Sequence, residues 1–86
     1  MQVRFTTHAL RKFAILRRHG FSVAKRQVVQ AVEKPDRMDY SRLPLLIAQV
    51  GFDKRRVLRI VYKVEGDTKV VITFYPGKRS QYEKEN

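Results

Sequence analysis

The sequence contains no cysteine, no long apolar run and, over its first 32 residues, no acidic residue. The lack of cysteine excludes disulfides, thiolate zinc sites and a cysteine nucleophile, and it agrees with a reducing compartment. No segment reaches the ~18 apolar residues that a membrane-spanning helix needs, and the opening residues lack the apolar stretch of a signal peptide. We therefore expect a cytoplasmic protein that does not enter a membrane.

The charge of the chain is strongly unbalanced. Nineteen lysine and arginine residues oppose eight aspartate and glutamate residues, and 43% of the 86 residues are apolar. This apolar content is enough for one globular domain spanning residues 1–86. A positive field attracts phosphate backbones and speeds association with them. It would attract an acidic protein or an anionic membrane surface in the same way, so composition leaves the partner open.

The first half of the chain predicts a short strand and two helices. The strand contains Val3 and Phe5, after which Thr7 is a good N-cap for a helix that ends at His19-Gly20. Ser22 is expected to cap a second helix, which Pro35 ends. The predicted apolar stripes are Leu10, Phe13 and Ala14 in the first helix and Ala24, Val28, Ala31 and Val32 in the second.

The second half of the chain changes to a period of two, which is typical of strands. A polar connection over Asp36 to Arg42 leads to predicted strands at Leu43–Phe52, Arg56–Val64 and Lys69–Tyr75. Segregated helices and strands predict an α+β fold with a three-stranded antiparallel meander and the helices on one sheet face. One face of the last two strands should pack against the helices through Leu58, Ile60, Tyr62, Val64, Val70, Ile72 and Phe74. The other face should be open to solvent and carry Arg59, Lys63, Thr73 and Tyr75.

This order of elements resembles the RelE/ParE superfamily of small bacterial toxins. The chain is most similar to its BrnT-like branch and to related uncharacterised proteins. The similarity covers nearly the whole chain, and the segments that carry it are Phe5-Thr6-Thr7-His8-Ala9, His19-Gly20, Pro35-Asp36, Val57–Tyr62, Val70–Pro76, Arg79 and Tyr82-Glu83.

The resemblance implies the toxin of a type II toxin–antitoxin pair, a metal-independent endoribonuclease that cleaves messenger RNA by attack of its 2′-hydroxyl. The partners would be an acidic or DNA-binding antitoxin and RNA, free or on the ribosome, and no cofactor is implied. The ParE branch poisons DNA gyrase instead, so the fold alone does not distinguish RNA cleavage from action on gyrase. The alternative is a non-catalytic module of the same fold that binds nucleic acid or protein, either gyrase-directed or an inactive relative.

RNA cleavage needs positive charge at the phosphate and proton transfer at two oxygens. Arg59 lies in mid-strand on the face predicted to be open, and its planar guanidinium suits a phosphate. Arg79 matches the C-terminal arginine of the family, and Tyr82 is suited to stacking on a base or to proton transfer. His8 has a side chain suited to acid–base work. The alternatives are a solvent-facing Arg59, a Tyr82 packed on the edge of the core and a surface His8.

Further basic and aromatic residues are candidates for binding nucleic acid. The candidates are Lys54, Arg55, Arg56, Lys63, Tyr75 and Lys78. A solvated basic turn is an equally good interpretation of Lys54, Arg55 and Arg56. His8 and His19 lie eleven residues apart without a cluster of carboxylates nearby, so we expect no metal site.

Overall fold

The computed structural model describes residues 2–83. In chain order, this part contains β1 (Gln2–Phe5), α1 (Thr7–Arg18), α2 (Lys25–Glu33), β2 (Arg37–Asp39), β3 (Leu46–Gly51), β4 (Arg56–Glu65), β5 (Thr68–Lys78) and α3 (Arg79–Tyr82). The strands form one sheet in the order β1-β5-β4-β3-β2. β1 runs parallel to β5, and the other neighbouring pairs are antiparallel. The α+β class is confirmed, with two more elements, β2 and α3, than the sequence predicted.

The predicted ends of α1 and α2 are mostly correct, but the predicted N-caps are wrong. The Thr6 hydroxyl, not that of Thr7, accepts a hydrogen bond from the Ala9 amide at 3.1 Å and caps α1. Gly20 has a φ of 86°, as a glycine after a helix favours. α2 begins two residues later than a Ser22 cap would require, with Ala24 at its N-cap position.

The core lies between one sheet face and the two long helices, α1 and α2, which we call the helix layer. α1 buries Ala9 and Leu16 here, whereas Leu10 is 48% exposed. The predicted stripes are therefore wrong at Leu10 and Ala14 of α1, and at Ala24, which is exposed before α2 begins. The small Ala9 side chain has no exposed surface and allows the helix backbone close to the sheet. The buried core consists of Ala9, Leu16, Val23, Val28, Ala31, Val32, Ala48, Leu58, Ile60, Tyr62, Val71 and Phe74.

A bulge between β4 and β5 changes which side chains of β5 face the helix layer. Val61 pairs with Thr73 but the next residue, Tyr62, pairs with Val71, so Ile72 is an extra residue in β5. The prediction for Phe74 is correct, whereas Val70 pairs with Lys63 on the opposite face. Simple alternation cannot reveal a bulge, and this explains the error.

The C-terminal part of the sheet also differs from the prediction. β5 does not break at Pro76-Gly77 but pairs with β4 as far as Lys78. A single helical turn, α3, follows directly. The segment predicted as a polar connection contains β2, which forms one edge of the sheet by pairing with β3. These additions matter because β2 and α3 both supply residues to the candidate site.

Candidate functional site

Arg59 lies in the middle of β4 on the sheet face opposite the helix layer, which we call the far face. Its strand neighbours are Gln49 of β3 and Tyr75 of β5, one on each side. The residue is only 5% exposed, and Gln49 is 3% exposed. The prediction of an open face is therefore wrong at this position. The placement of Arg59 opposite the helices is as predicted.

The guanidinium of Arg59 makes three hydrogen bonds within the protein. Its Nε donates to the Tyr75 hydroxyl at 3.2 Å, Nη1 donates to Gln49 Oε1 at 2.5 Å, and Nη2 donates to Asp39 Oδ2 at 2.7 Å. The ring of Tyr82 covers the group, with its centroid 4.1 Å from Arg59 Cζ. Arg59 thus joins strands β2, β3 and β5 to α3, and its charge is balanced by the Asp39 carboxylate.

Asp39 remains ionised throughout the physiological pH range. Hydrogen bonds from Ser41, and then the bond from Arg59, lower the pKa of Asp39 to about 2. Burial lowers the pKa of Arg59, but its bonds to Tyr75 and Asp39 outweigh burial and raise the pKa overall. The pair is therefore a fixed ion pair at neutral pH. A carboxylate with such a low pKa is a weak general base.

Arg79 lies on the same face, at the start of α3. Its backbone amide donates to the Arg55 carbonyl at 2.9 Å, and its Nε donates to the Asp53 carbonyl at 2.8 Å. Its Nη1 donates to both carboxylate oxygens of Glu83, at 2.9 and 3.1 Å. The Arg79 side chain keeps 35% of its surface exposed, so it is more accessible than Arg59.

Two strand glycines leave room for the residues of α3. A Cβ added to Gly51 would lie 2.6 Å from Arg79 Nη2, and one added to Gly77 would overlap the Tyr82 ring. Each glycine therefore allows an α3 side chain to lie directly on the sheet backbone. An isolated glycine within a strand is a known sign of such close approach, and this signal was present in the sequence.

The geometry brings Arg59, Arg79 and Tyr82 together on the far face. Gly51, beneath Arg79, is two residues along β3 from Gln49, the neighbour of Arg59. Two residues of a strand span about 7 Å. Tyr82 is close to both arginines, because its ring lies on the Arg59 guanidinium and it follows Arg79 by one helical turn in α3. Their role in catalysis stays a prediction.

Some of the other predicted site residues lie in or beside the cluster of Arg59, Arg79 and Tyr82. Tyr75 joins it through Arg59. Lys54 and Arg55 are exposed in the turn whose carbonyls hold Arg79. Lys78 is exposed immediately before α3.

Three candidates do not reach the cluster. Arg56 turns toward the helix layer, where its Cζ lies 4.9 Å from the centroid of the Phe21 ring. Lys63 is on the far face, but four residues along β4 from Arg59, and it pairs with Glu65 at 2.7 Å. His8 is exposed in the first turn of α1, on the other side of the sheet. The geometry therefore gives no support to a shared site that includes these three.

Sequence reasoning missed the acidic and amide partners of the two arginines. Asp39 and Gln49 hold Arg59, Glu83 holds Arg79, and Arg37 donates to the Tyr82 carbonyl at 3.3 Å. A glutamine inside an apolar strand is a signal that could have identified Gln49. The position of Asp39 depends on the pairing of β2 with β3, which local sequence patterns do not show.

Three further features of the described residues bear on function. No group of three side chains suited to metal binding occurs within residues 2–83. A cleft of about 600 Å³ lies between α2 and the end of β3, lined by Gln27, Gln30, Val50, Phe52 and others, and does not include Arg59, Arg79 or Tyr82. The helices of this part of the chain are all too short or too polar to cross a membrane.

Comparisons with protein-family models, with curated proteins and with solved structures find no match to this chain.

Proposed function

We propose that this chain is the toxin of a type II toxin–antitoxin pair, a metal-independent endoribonuclease that cleaves messenger RNA in the cytoplasm. The motif resemblance to RelE-like proteins motivates the proposal. The observation that carries it is the convergence of Arg59, Arg79 and Tyr82 on one sheet face, although the residues come from β4 and α3. Two cations and a phenol can supply the charge stabilisation and proton transfer that transesterification of RNA needs.

In this proposal Arg79 contacts the scissile phosphate. Its Nη1 already holds an oxyanion, the Glu83 carboxylate, through both oxygens. A phosphate offers a similar pair of oxygens, so it would replace Glu83. The 2′-oxygen then attacks phosphorus and loses its proton, while the departing 5′-oxygen gains one, leaving a 2′,3′-cyclic phosphate. We assign proton transfer to Tyr82, whose ring centroid lies 4.1 Å from the cationic Arg59 Cζ.

The test is cleavage of an end-labelled messenger RNA by the purified chain in excess chelator. We expect cleavage without divalent metal, and Arg79→Ala to lower the rate about 10²–10³-fold, as loss of a charge-stabilising donor does. Arg42→Ala, which removes an exposed charge in the β2–β3 connection, is the matched control. A strict requirement for metal, or equal cleavage by the Arg79 and Arg42 variants, would contradict the proposal.

A second test examines the proposed partner. Expression of the chain alone should arrest growth, and coexpression of an acidic or DNA-binding antitoxin from an adjacent reading frame should relieve the arrest. Normal growth, together with intact RNA bound by the protein, would reject the toxin proposal.

A non-catalytic module of the same fold is the second candidate. The burial of Arg59 favours it, because a guanidinium that is 5% exposed and bonded to Asp39, Gln49 and Tyr75 is well suited to holding the sheet together. In that case the far face binds nucleic acid or a protein, gyrase included, without cutting RNA. The cleavage assay separates the two functions directly.

A further inference from the structure

The helix layer carries six cations and a single acidic residue, Glu33, at the last position of α2. From Met1 to Val32 the sequence has no aspartate or glutamate. Both long helices lack an acidic residue in the first turn. The six cations of the layer are Arg11, Lys12, Arg17, Arg18, Lys25 and Arg26, of which all but the half-buried Lys12 are exposed. Positive charge therefore covers the side of the molecule opposite Arg59 and Arg79.

No carboxylate within residues 2–83 forms an ion pair with these cations. The ion pairs within residues 2–83 involve Arg4, Arg56, Arg59, Lys63 and Arg79, and none involves a cation of α1 or α2. The far face differs, because both of its central arginines, Arg59 and Arg79, form ion pairs with carboxylates. The helix layer therefore has the larger uncompensated charge.

The position of two of these cations is unfavourable for folding. Lys25 and Arg26 occupy the first turn of α2, where the helix dipole favours negative charge. Ala24 at the N-cap position has no side-chain oxygen, and Gln27 Oε1, which accepts from the Ala24 amide at 2.7 Å, carries no charge to offset the two cations. Helix stability alone would favour acidic residues here. An external anion would make the same arrangement favourable.

The aromatic rings on the helix side of the sheet pack against the core. Phe5, Phe13 and Phe21 pack against the core, and Lys25 Nζ lies 5.2 Å from the centroid of the Phe5 ring. A surface for single-stranded nucleic acid needs exposed rings on which bases stack. A membrane-surface helix needs a broad apolar face with aromatic anchors, whereas α1 exposes only Leu10 and Ile15 among its large apolar side chains. The backbone of a duplex requires neither, since cations alone bind it.

We propose that the helix layer is a second nucleic-acid surface, which binds the phosphate backbone of a duplex through the cations of α1 and α2. The protein is broad and thin, with extents of 34 × 33 × 19 Å, so a broad face spans about ten base pairs at 3.4 Å each. Binding here leaves the far face free for a second strand. The proposal does not require cleavage of RNA and can be tested if the chain is not a nuclease.

The test measures the salt dependence of binding to a 16-base-pair duplex by fluorescence anisotropy. A 2′-O-methyl RNA duplex is used because it has no nucleophilic 2′-hydroxyl, and a DNA duplex is compared with it. Arg17→Gln/Arg26→Gln removes two charges from the helix layer. Arg4→Gln/Arg42→Gln removes two charges from β1 and the β2–β3 connection. Glutamine keeps most of the aliphatic chain, and circular dichroism checks that both variants fold.

We expect the slope of log K against log salt to fall in magnitude by about 1.8 for the helix variant, since each phosphate contact contributes about 0.9. The slope of the control variant should stay within about 0.5 of that of the unsubstituted chain, because loss of net charge without loss of a phosphate contact changes the slope little.

Equal binding of both duplexes supports recognition of backbone charge, and tighter binding of the RNA form supports recognition of its shape as well. Equal slopes for the two variants would overturn the proposal. So would binding to phosphatidylserine vesicles without binding to either duplex.

Discussion

The Tyr82 ring lies over the guanidinium of Arg59, with Arg59 Cζ 4.1 Å from the ring centroid. This contact links the C-terminal turn α3 to the middle of β4. The ring also lies against Gly77, where no side chain intervenes. The burial of Arg59 and the position of α3 therefore depend on each other. Changes at the tail should affect the site, and changes at the site should affect the tail.

Arg59→Ala should destabilise the protein. An arginine on an open face could be replaced at little cost, but Arg59 is buried. Its loss leaves the buried Gln49 Oε1 and Asp39 Oδ2 without the guanidinium donor, and Asp39 keeps only its bonds from Ser41. We expect the free energy of unfolding to fall by about 2–3 kcal/mol, measured by urea denaturation. Arg11→Ala, at an exposed position of α1, should change it by less than about 0.5 kcal/mol. Equal stability of the two variants would show that the network around Arg59 contributes nothing.

The ion pair between Asp39 and Arg59 should give stability a distinct dependence on acid. The pKa of Asp39 is lowered from 3.8 to about 2 by Ser41 and then by Arg59. Its contribution is therefore complete above pH 3.8 and decreases as the pH falls toward 2, because the unfolded chain takes up the proton first. The difference in unfolding free energy between the unsubstituted chain and Asp39→Asn should shrink over this interval. A difference that stays constant from pH 5 to pH 2 would contradict the low pKa.

Gly77→Ala should displace α3 from the sheet. The added methyl group overlaps the Tyr82 ring, which must move away from Arg59. We expect faster hydrogen exchange in residues 79–83 and a rise in proteolysis there, with the rest of the sheet protected. Gly51→Ala is the comparison, because its methyl group meets the end of the flexible Arg79 side chain, which can shift at low cost. If both variants keep the tail equally protected, Gly77 is not needed for docking.

Glu83→Gln should strengthen binding of a single-stranded nucleic acid at the far face. It removes the carboxylate that occupies Arg79, in a pair whose side chains are about one-third exposed. An ion pair of this exposure corresponds to a change of about 1.5- to 5-fold in affinity, measured with an uncleavable 2′-O-methyl strand at low salt. Glu65→Gln changes the net charge equally but acts at Lys63 and Arg4. Equal gains in both variants would mean that only net charge matters.

Alternation along a single strand predicted part of this site. Leu58 and Arg59 are adjacent in sequence, and the period of two placed them correctly on opposite faces of the sheet. The same reasoning failed for Val70, because a bulge adds Ile72 to β5 and reverses the alternation beyond it. Local patterns describe a strand correctly only while its pairing stays regular.

The environment of Arg59 could not be predicted in this way. It depends on Asp39, in a strand of three residues, and on Tyr82, in a helix of four. Elements this short have almost no periodic pattern, and tertiary pairing determines them. Two clues were nevertheless present: a glutamine within an apolar strand, and the glycines at 51 and 77. Together they indicate that something packs on the face predicted to be open.

The position of β5 has a consequence for how the chain is made. This strand lies between β1 and β4, so the first strand has its neighbour among residues synthesised more than 60 positions later. Until residues 68–78 leave the ribosome, β1 lacks a partner, and the helices lack much of the surface on which they pack. Contacts so distant in sequence form slowly. Assembly of the domain must therefore wait for β5, and until then the nascent chain exposes apolar surface beside its basic first half.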